Sequence, residues 1–160
     1  MKEDTLIKTL FDAARTGDRT AIRIYAPKLA DINVRDERGF TPLIIAAYNG
    51  QLGAAEALIE AGADPNAQDV SGNTALMGVC FKGHTEIAEL LLRQGADPNV
   101  QDGKGGTALA FAVMFSHHTL VELLLRHGAD PHIPNTSGVT VRELAQQQGN
   151  DDAVRLMDGV

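Results

Sequence analysis

The chain has 160 residues, a formal net charge of −7, 44% hydrophobic residues, 4% aromatics, no tryptophan and one cysteine, Cys80. A disulfide framework and a multi-cysteine metal site are thereby excluded, and an acidic balance without any run of Lys or Arg argues against DNA, RNA or an anionic membrane as direct partner. With so few rings, the expected core of a single domain is Leu, Ile, Val and Ala, a mixture that suits close-packed helices.

The chain repeats itself. Thr41, Thr74, Thr107 and Thr140 stand 33 residues apart, and Gly39, Gly72, Gly105 and Gly138 keep the same interval. Gly62-Ala63-Asp64-Pro65-Asn66 returns as Gly95-Ala96-Asp97-Pro98-Asn99 and again as Gly128-Ala129-Asp130-Pro131-His132. Fixed self-similarity of this period marks an array of stacked units.

Taken in order, residues 1–33 read as an N-terminal capping helix pair. Lys8 to Gly17 aligns with Thr41 to Gly50 and keeps Leu10, Ala13 and Ala14 at the apolar positions, but no hairpin precedes it. Pro27 should stop the second helix near Ala26, because proline removes an amide donor and clashes with the preceding turn. The opening segment lacks the apolar run of a secretory leader. No stretch approaches the ~18 apolar residues of a membrane span. A cytoplasmic location is the expectation.

Residues 34–66, 67–99 and 100–132 read as three full repeats. In the middle one, Asp69-Val70-Ser71-Gly72-Asn73 is a turn. Thr74 is placed to cap the following helix through its hydroxyl. That helix runs to about Lys82 and carries small residues, Ala75, Gly78 and Cys80, that let neighbouring helices approach. Gly83 ends it. A second helix starts at His84 and Thr85, presents Ile87, Ala88, Leu90, Leu91 and Leu92, and ends at Gly95.

Residues 133–160 read as a C-terminal capping repeat. Arg142 stands where the earlier units have Leu43, Leu76 and Leu109, and Glu143 where they have Ile44, Met77 and Ala110. Gln146, Gln147 and Gln148 follow, as on a helix with one wet side. A last short helix begins at Asn150-Asp151-Asp152, whose acids suit its positive end, and stops near Met157. No single unit can bury its own apolar face, but stacked copies bury each other's. The expected fold class is therefore all-α: a solenoid of helix-turn-helix units joined by β-hairpin-like loops, with caps at both ends.

These motifs resemble the ankyrin-repeat family. Thr41-Pro42-Leu43 through Ala46-Ala47 and Gly50 match its first helix, and Glu89-Leu90-Leu91-Leu92 with Gly95-Ala96-Asp97 match its second helix and loop. The likeness covers nearly the whole chain. There are departures. The family's usual His after Thr-Pro-Leu is replaced by Ile44, Met77, Ala110 and Glu143; Thr74-Ala75 and Thr107-Ala108 stand for Thr-Pro; Ser116 stands for a turn glycine. Such changes bear on local hydrogen bonding rather than on the fold. The resemblance implies a non-catalytic module, an adaptor or inhibitor, that docks a protein partner on its hairpin tips and on the exposed side of its first helices. A standard interface would cover about 800 Å² on each side.

The register then names the candidate contact residues. They are Arg35, Arg38, Phe40, Tyr48 and Asn49 in the first full repeat, and Val70, Asn73, Phe81 and Lys82 in the second. In the third they are Lys104, Met114 and Phe115. Tyr48, Phe81 and Met114 are equivalent positions and should form a column along the first helices. Four of the seven Phe and Tyr residues map to this side, and aromatic anchors are enriched among interface hot spots. Arg35, Arg38, Lys82 and Lys104 would steer an acidic partner patch. A monomer is expected; the alternative is a homodimer closed through the same column.

Other readings carry less weight. Cys80 is equivalent to Ala14, Ala47 and Val113, so it reads as a buried core thiol rather than a nucleophile. His117 and His118 point about 100° apart on a helix and do not converge on a metal. Asp102-Gly103-Lys104-Gly105-Gly106-Thr107 lacks the spacing of a phosphate loop. Asp36, Asp69 and Asp102 recur as turn formers rather than as paired catalytic acids. No cofactor, metal or catalytic residue is expected.

Overall fold

A computed structural model describes residues 1–159. Among these residues there are ten α-helices and no strand: α1 (Glu3–Thr16), α2 (Arg19–Tyr25), α3 (Pro42–Tyr48), α4 (Leu52–Glu60), α5 (Ala75–Lys82), α6 (Thr85–Arg93), α7 (Ala108–Met114), α8 (His118–Arg126), α9 (Val141–Gln147) and α10 (Asp151–Asp158). Helix α1 packs on α3, α3 on α5, α5 on α7 and α7 on α9, forming one layer. Helices α2, α4, α6, α8 and α10 form the second layer in the same order. The molecule is an all-α repeat solenoid. No helix among the described residues is long and apolar enough to cross a membrane.

Side-chain size explains the layering. The inner helices meet through Ala46, Ala47, Val79, Cys80, Ala112 and Val113, all without exposed surface. Small side chains let two backbones approach closely enough to seal the seam. The outer helices supply bulk through Leu58, Leu91 and Leu124, also fully buried. Burial pushes the Cys80 thiol far above its ordinary pKa, because the surrounding apolar atoms cannot solvate a thiolate. A thiol held protonated there is a packing group, not a nucleophile.

Helix ends follow the expected chemistry, with one exception. The Thr41 and Thr74 hydroxyls accept from the amides of Ile44 and Met77, each at 3.2 Å, and Thr140 does the same for Glu143. Thr107 makes no such bond, and its buried hydroxyl has no hydrogen-bond partner. Helix α2 stops at Tyr25, and Pro27 leaves a single tighter turn, Ala26–Lys28. Helix α1 starts earlier than the repeat alignment implies. It reaches back to Glu3 because no hairpin interrupts it, and Glu3 and Asp4 favour its N-terminal end.

The repeats are also stitched side by side. Asp36 Oδ1 accepts from the amides of Arg38 and Phe40, both at 2.9 Å. Asp69, Asp102 and Asn135 fold their own tips in the same way. Each tip then donates an amide to the tip before it: Val70 to the Arg38 carbonyl, Gly103 to Ser71 and Thr136 to Lys104, at 3.1, 2.9 and 3.0 Å. The opposite loops are bridged by Asn33, Asn66 and Asn99, whose side chains accept from the amides of Asp64, Asp97 and Asp130. His84 and His117 donate from Nε2 to the carbonyls of Tyr48 and Phe81 in the preceding repeat, at 3.2 and 3.3 Å. The histidines therefore serve the stack.

Ser116 is the one described non-glycine residue with positive φ, at 56°. Its equivalents Gly17, Gly50, Gly83 and Gly149 all lie at positive φ too. A Cβ on Gly50 or Gly83 would sit 2.9 or 2.8 Å from the imidazole of His84 or His117. At Ser116 the overlying register position belongs to the shorter Asn150, whose side chain turns to cap the Ala153 amide. Space therefore exists for serine, but the left-handed backbone still costs about 1–2 kcal/mol for an L side chain. Glycine recovers most of that cost and loses some of it again to a freer unfolded chain. Ser116→Gly is expected to stabilise the protein by about 0.5–1 kcal/mol, read as a rise of a few degrees in thermal melting.

Candidate protein-binding face

The inner helices and the hairpin tips together line one side of the stack. A groove of about 640 Å³ runs there, between the tips carrying Asp36 and Asp69 and the exposed flank of α3 and α5. Its walls include Arg38, Phe40, Tyr48, Asn73 and Phe81 from the sequence-derived set. They also include Phe111, Ile44, Met77 and Gly78, which sequence reasoning did not select.

The rings make a continuous row. Tyr48 and Phe81 are stacked with centroids 6.3 Å apart and planes 15° from parallel. Phe81 meets Phe115 edge-on at 4.7 Å and 76°. Both arrangements suit the ring quadrupole. Phe115, also in the sequence-derived set, thus adds a third ring to the row from the C-cap of α7, the position that Asn49 holds in α3. Met114 remains exposed beside it.

The first ring lies against α5 at Gly78, where an added Cβ would be 3.4 Å from Tyr48 Cδ2, an ordinary van der Waals contact. Lys82 adds its ammonium 5.1 Å from the same ring's centroid, within range of a cation–π attraction.

The remaining predicted residues divide by what already holds them. Arg35 donates to the carbonyls of Gly39 and Gln68, the latter in the next repeat. Gln68 and Gln101 repeat this bridge one and two units on, donating to Gln101 and Pro134 respectively. Arg35 therefore braces the tips. Asn49 donates from Nδ2 to Ile45 O at 2.8 Å and closes its own helix end. Phe40 is half-buried against the core. Arg38, Val70, Lys82 and Lys104 are exposed at the tips and inner flank, with Val70 at 77%.

Seven large apolar side chains are exposed among the described residues, and five of them, Tyr48, Val70, Phe81, Met114 and Phe115, share this side. Phe111 is a sixth apolar contributor, half-buried at the groove wall. Its register equivalents are Ile45 and Gly78, and a ring one repeat beyond a glycine was the available signal. No group of three or more His, Cys, Asp or Glu side chains converges among the described residues in a way that would hold a metal ion.

No curated protein matches the chain as a relative. The family model for ankyrin repeats, which spans three copies, matches residues 10–102 and 79–158. With the Thr caps, the glycine turns and the paired helices in the same register, the chain belongs to the ankyrin-repeat family.

Proposed function

We propose that this protein is a non-catalytic adaptor or inhibitor that binds a protein partner through the hairpin tips and the exposed side of α3, α5 and α7. Ankyrin repeats are in general protein-interaction modules, which sets the class. The observation that carries the finer reading is the ring row Tyr48, Phe81 and Phe115, held partly exposed beside a groove. A monomer's surface rarely gathers its apolar area in one place without a use for it. Rings also suit the use, since a large rigid side chain buries much area for little lost rotamer freedom.

The test is affinity capture from a lysate of the source organism, with the wild type and a Tyr48→Ala/Phe81→Ala variant as paired baits. The partner retained by the wild type should bind the variant at least about a hundredfold more weakly, as loss of two hot-spot rings implies. The variant should still melt cooperatively, because the ring pairs contribute only about 0.5–1.5 kcal/mol each beyond their buried area. Equal retention by a folded variant places the site elsewhere on the stack.

A further inference from the structure

We infer that the partner of this face presents a segment in which carboxylates flank large apolar side chains. The inference rests on the binding role proposed above and specifies its ligand. Its ground is the way charge is sorted between the two sides of the stack. Helices α3, α5 and α7 contain no Asp or Glu. Their outer counterparts α4, α6 and α8 carry Glu56, Glu60, Glu86, Glu89 and Glu122. Acidic residues therefore avoid these three inner helices, while in the same layer α1 carries Glu3, Asp4 and Asp12 and α9 carries Glu143.

The tips sharpen the contrast. Asp36, Asp69 and Asp102 each receive two backbone N–H donors, so their charge is already solvated by their own turns. Arg15, on the α1 wall of the groove, pairs with Asp12, but three other cations on this side have no such match. Elsewhere arginines pair with carboxylates, as in Arg19 with Glu56, Arg23 with Glu60 and Arg93 with Glu89. Arg38, Lys82 and Lys104 are exposed, and none stands within salt-bridge distance of an acid among the described residues. They surround the rings, with Lys82 over Tyr48 and the apolar Val70 on the tip between those of Arg38 and Lys104.

A ligand that leaves such cations unmatched gives up the Coulomb term a carboxylate would add at the rim of a partly desolvated site. A basic ligand meets them as like charges. An acidic segment with apolar anchors satisfies the rings and the rim together.

The probe is a random peptide library displayed on phage and panned on the full-length protein, with Tyr48→Ala/Phe81→Ala as the counter-selection. The enriched peptides should carry net negative charge together with aromatic or branched aliphatic residues. An enriched peptide, synthesised and titrated, should bind Arg38→Gln/Lys82→Gln/Lys104→Gln about tenfold or more weakly than wild type. The control Arg19→Gln/Arg23→Gln/Arg93→Gln removes the same net charge from the outer side and should change affinity less than about twofold.

Equal weakening by the two triple variants would reduce the effect to net charge and overturn the inference. Enrichment of neutral or basic peptides that still require the rings also overturns it, while leaving the binding face standing. Enrichment that the ring variant does not abolish, or no enrichment over that variant, removes both readings.

Discussion

Leu109→Arg is expected to destabilise the protein by at least about 5 kcal/mol, enough to unfold its C-terminal repeats in the absence of denaturant. Leu109 has no exposed surface and lies in α7, between α5 and α9. The substitution removes a buried leucine and inserts a cation where no carboxylate waits. The chain itself shows what arginine needs in that place. Arg142 occupies the same register position one repeat later, half-buried, with Nε and Nη2 at 2.6 and 3.0 Å from the two carboxylate oxygens of Asp158. That hydrogen bond, foremost, raises the Arg142 pKa and holds Asp158 below the usual carboxylate range.

Asp158 is in turn the register equivalent of Leu125, which is buried. The end of the stack has therefore exchanged a leucine pair for an ion pair, because there water reaches both groups. The double variant Leu109→Arg/Leu125→Asp supplies the missing partner. It should recover some of the loss and still fall below wild type, since desolvating two ions outweighs their attraction in a dry interior. Urea denaturation followed by circular dichroism reads all three proteins. A single variant with an unchanged midpoint would mean that this layer is not the sealed core described above.

That exchange also shows where the sequence stops being legible. Helix limits were readable because their signals are local: Thr74 before α5, Gly83 after it, Pro27 beyond α2. Burial of Cys80 was readable because its register equivalents are small. The Arg142–Asp158 pair was not, since it joins two different helices and occurs once, so periodicity carries no trace of it. Arg35 read as a contact residue because the register puts it at a hairpin tip. Its work is to bridge carbonyls of two successive repeats, and the clue lay in Gln68 and Gln101, which have only the long donor-bearing side chain in common with it. Register put Tyr48, Phe81 and Met114 in one column and Phe115 on the same side, but which rings touch was not legible from it. Helix α7 ends in the same register as α3, with Phe115 at the C-cap where α3 has Asn49, so the contact between Phe115 and Phe81 follows from the ring at that position and not from a different helix end. Phe111 was passed over because its position is a core position in the first full repeat, at Ile45.

The second large effect concerns the tips themselves. Gly105→Ala and Gly138→Ala make the same chemical change at the same backbone angle, φ 78° at both. At Gly138 a new Cβ meets nothing within 4 Å, because none of the described residues stacks on that tip. At Gly105 it would lie 2.8 Å from the Thr136 amide nitrogen and 2.9 Å from Asn135 Cα. These are backbone atoms that cannot rotate away. Gly138→Ala should therefore cost about 1 kcal/mol, the left-handed strain less the gain from a stiffer unfolded chain. Gly105→Ala should cost about 3 kcal/mol, since it must also push neighbouring tips apart and stretch the bond from Thr136 N to Lys104 O. Paired urea titrations measure the difference, and equal costs would show that the tips give way freely. The consequence reaches the binding face. Arg38, Val70 and Lys104 are presented at set positions because each tip is hydrogen-bonded to the one before it. A partner docking on tips already in place does not bear the ordering cost that loose loops would impose. A variant that separates the tips but leaves the rings untouched should therefore bind more weakly even where it remains folded.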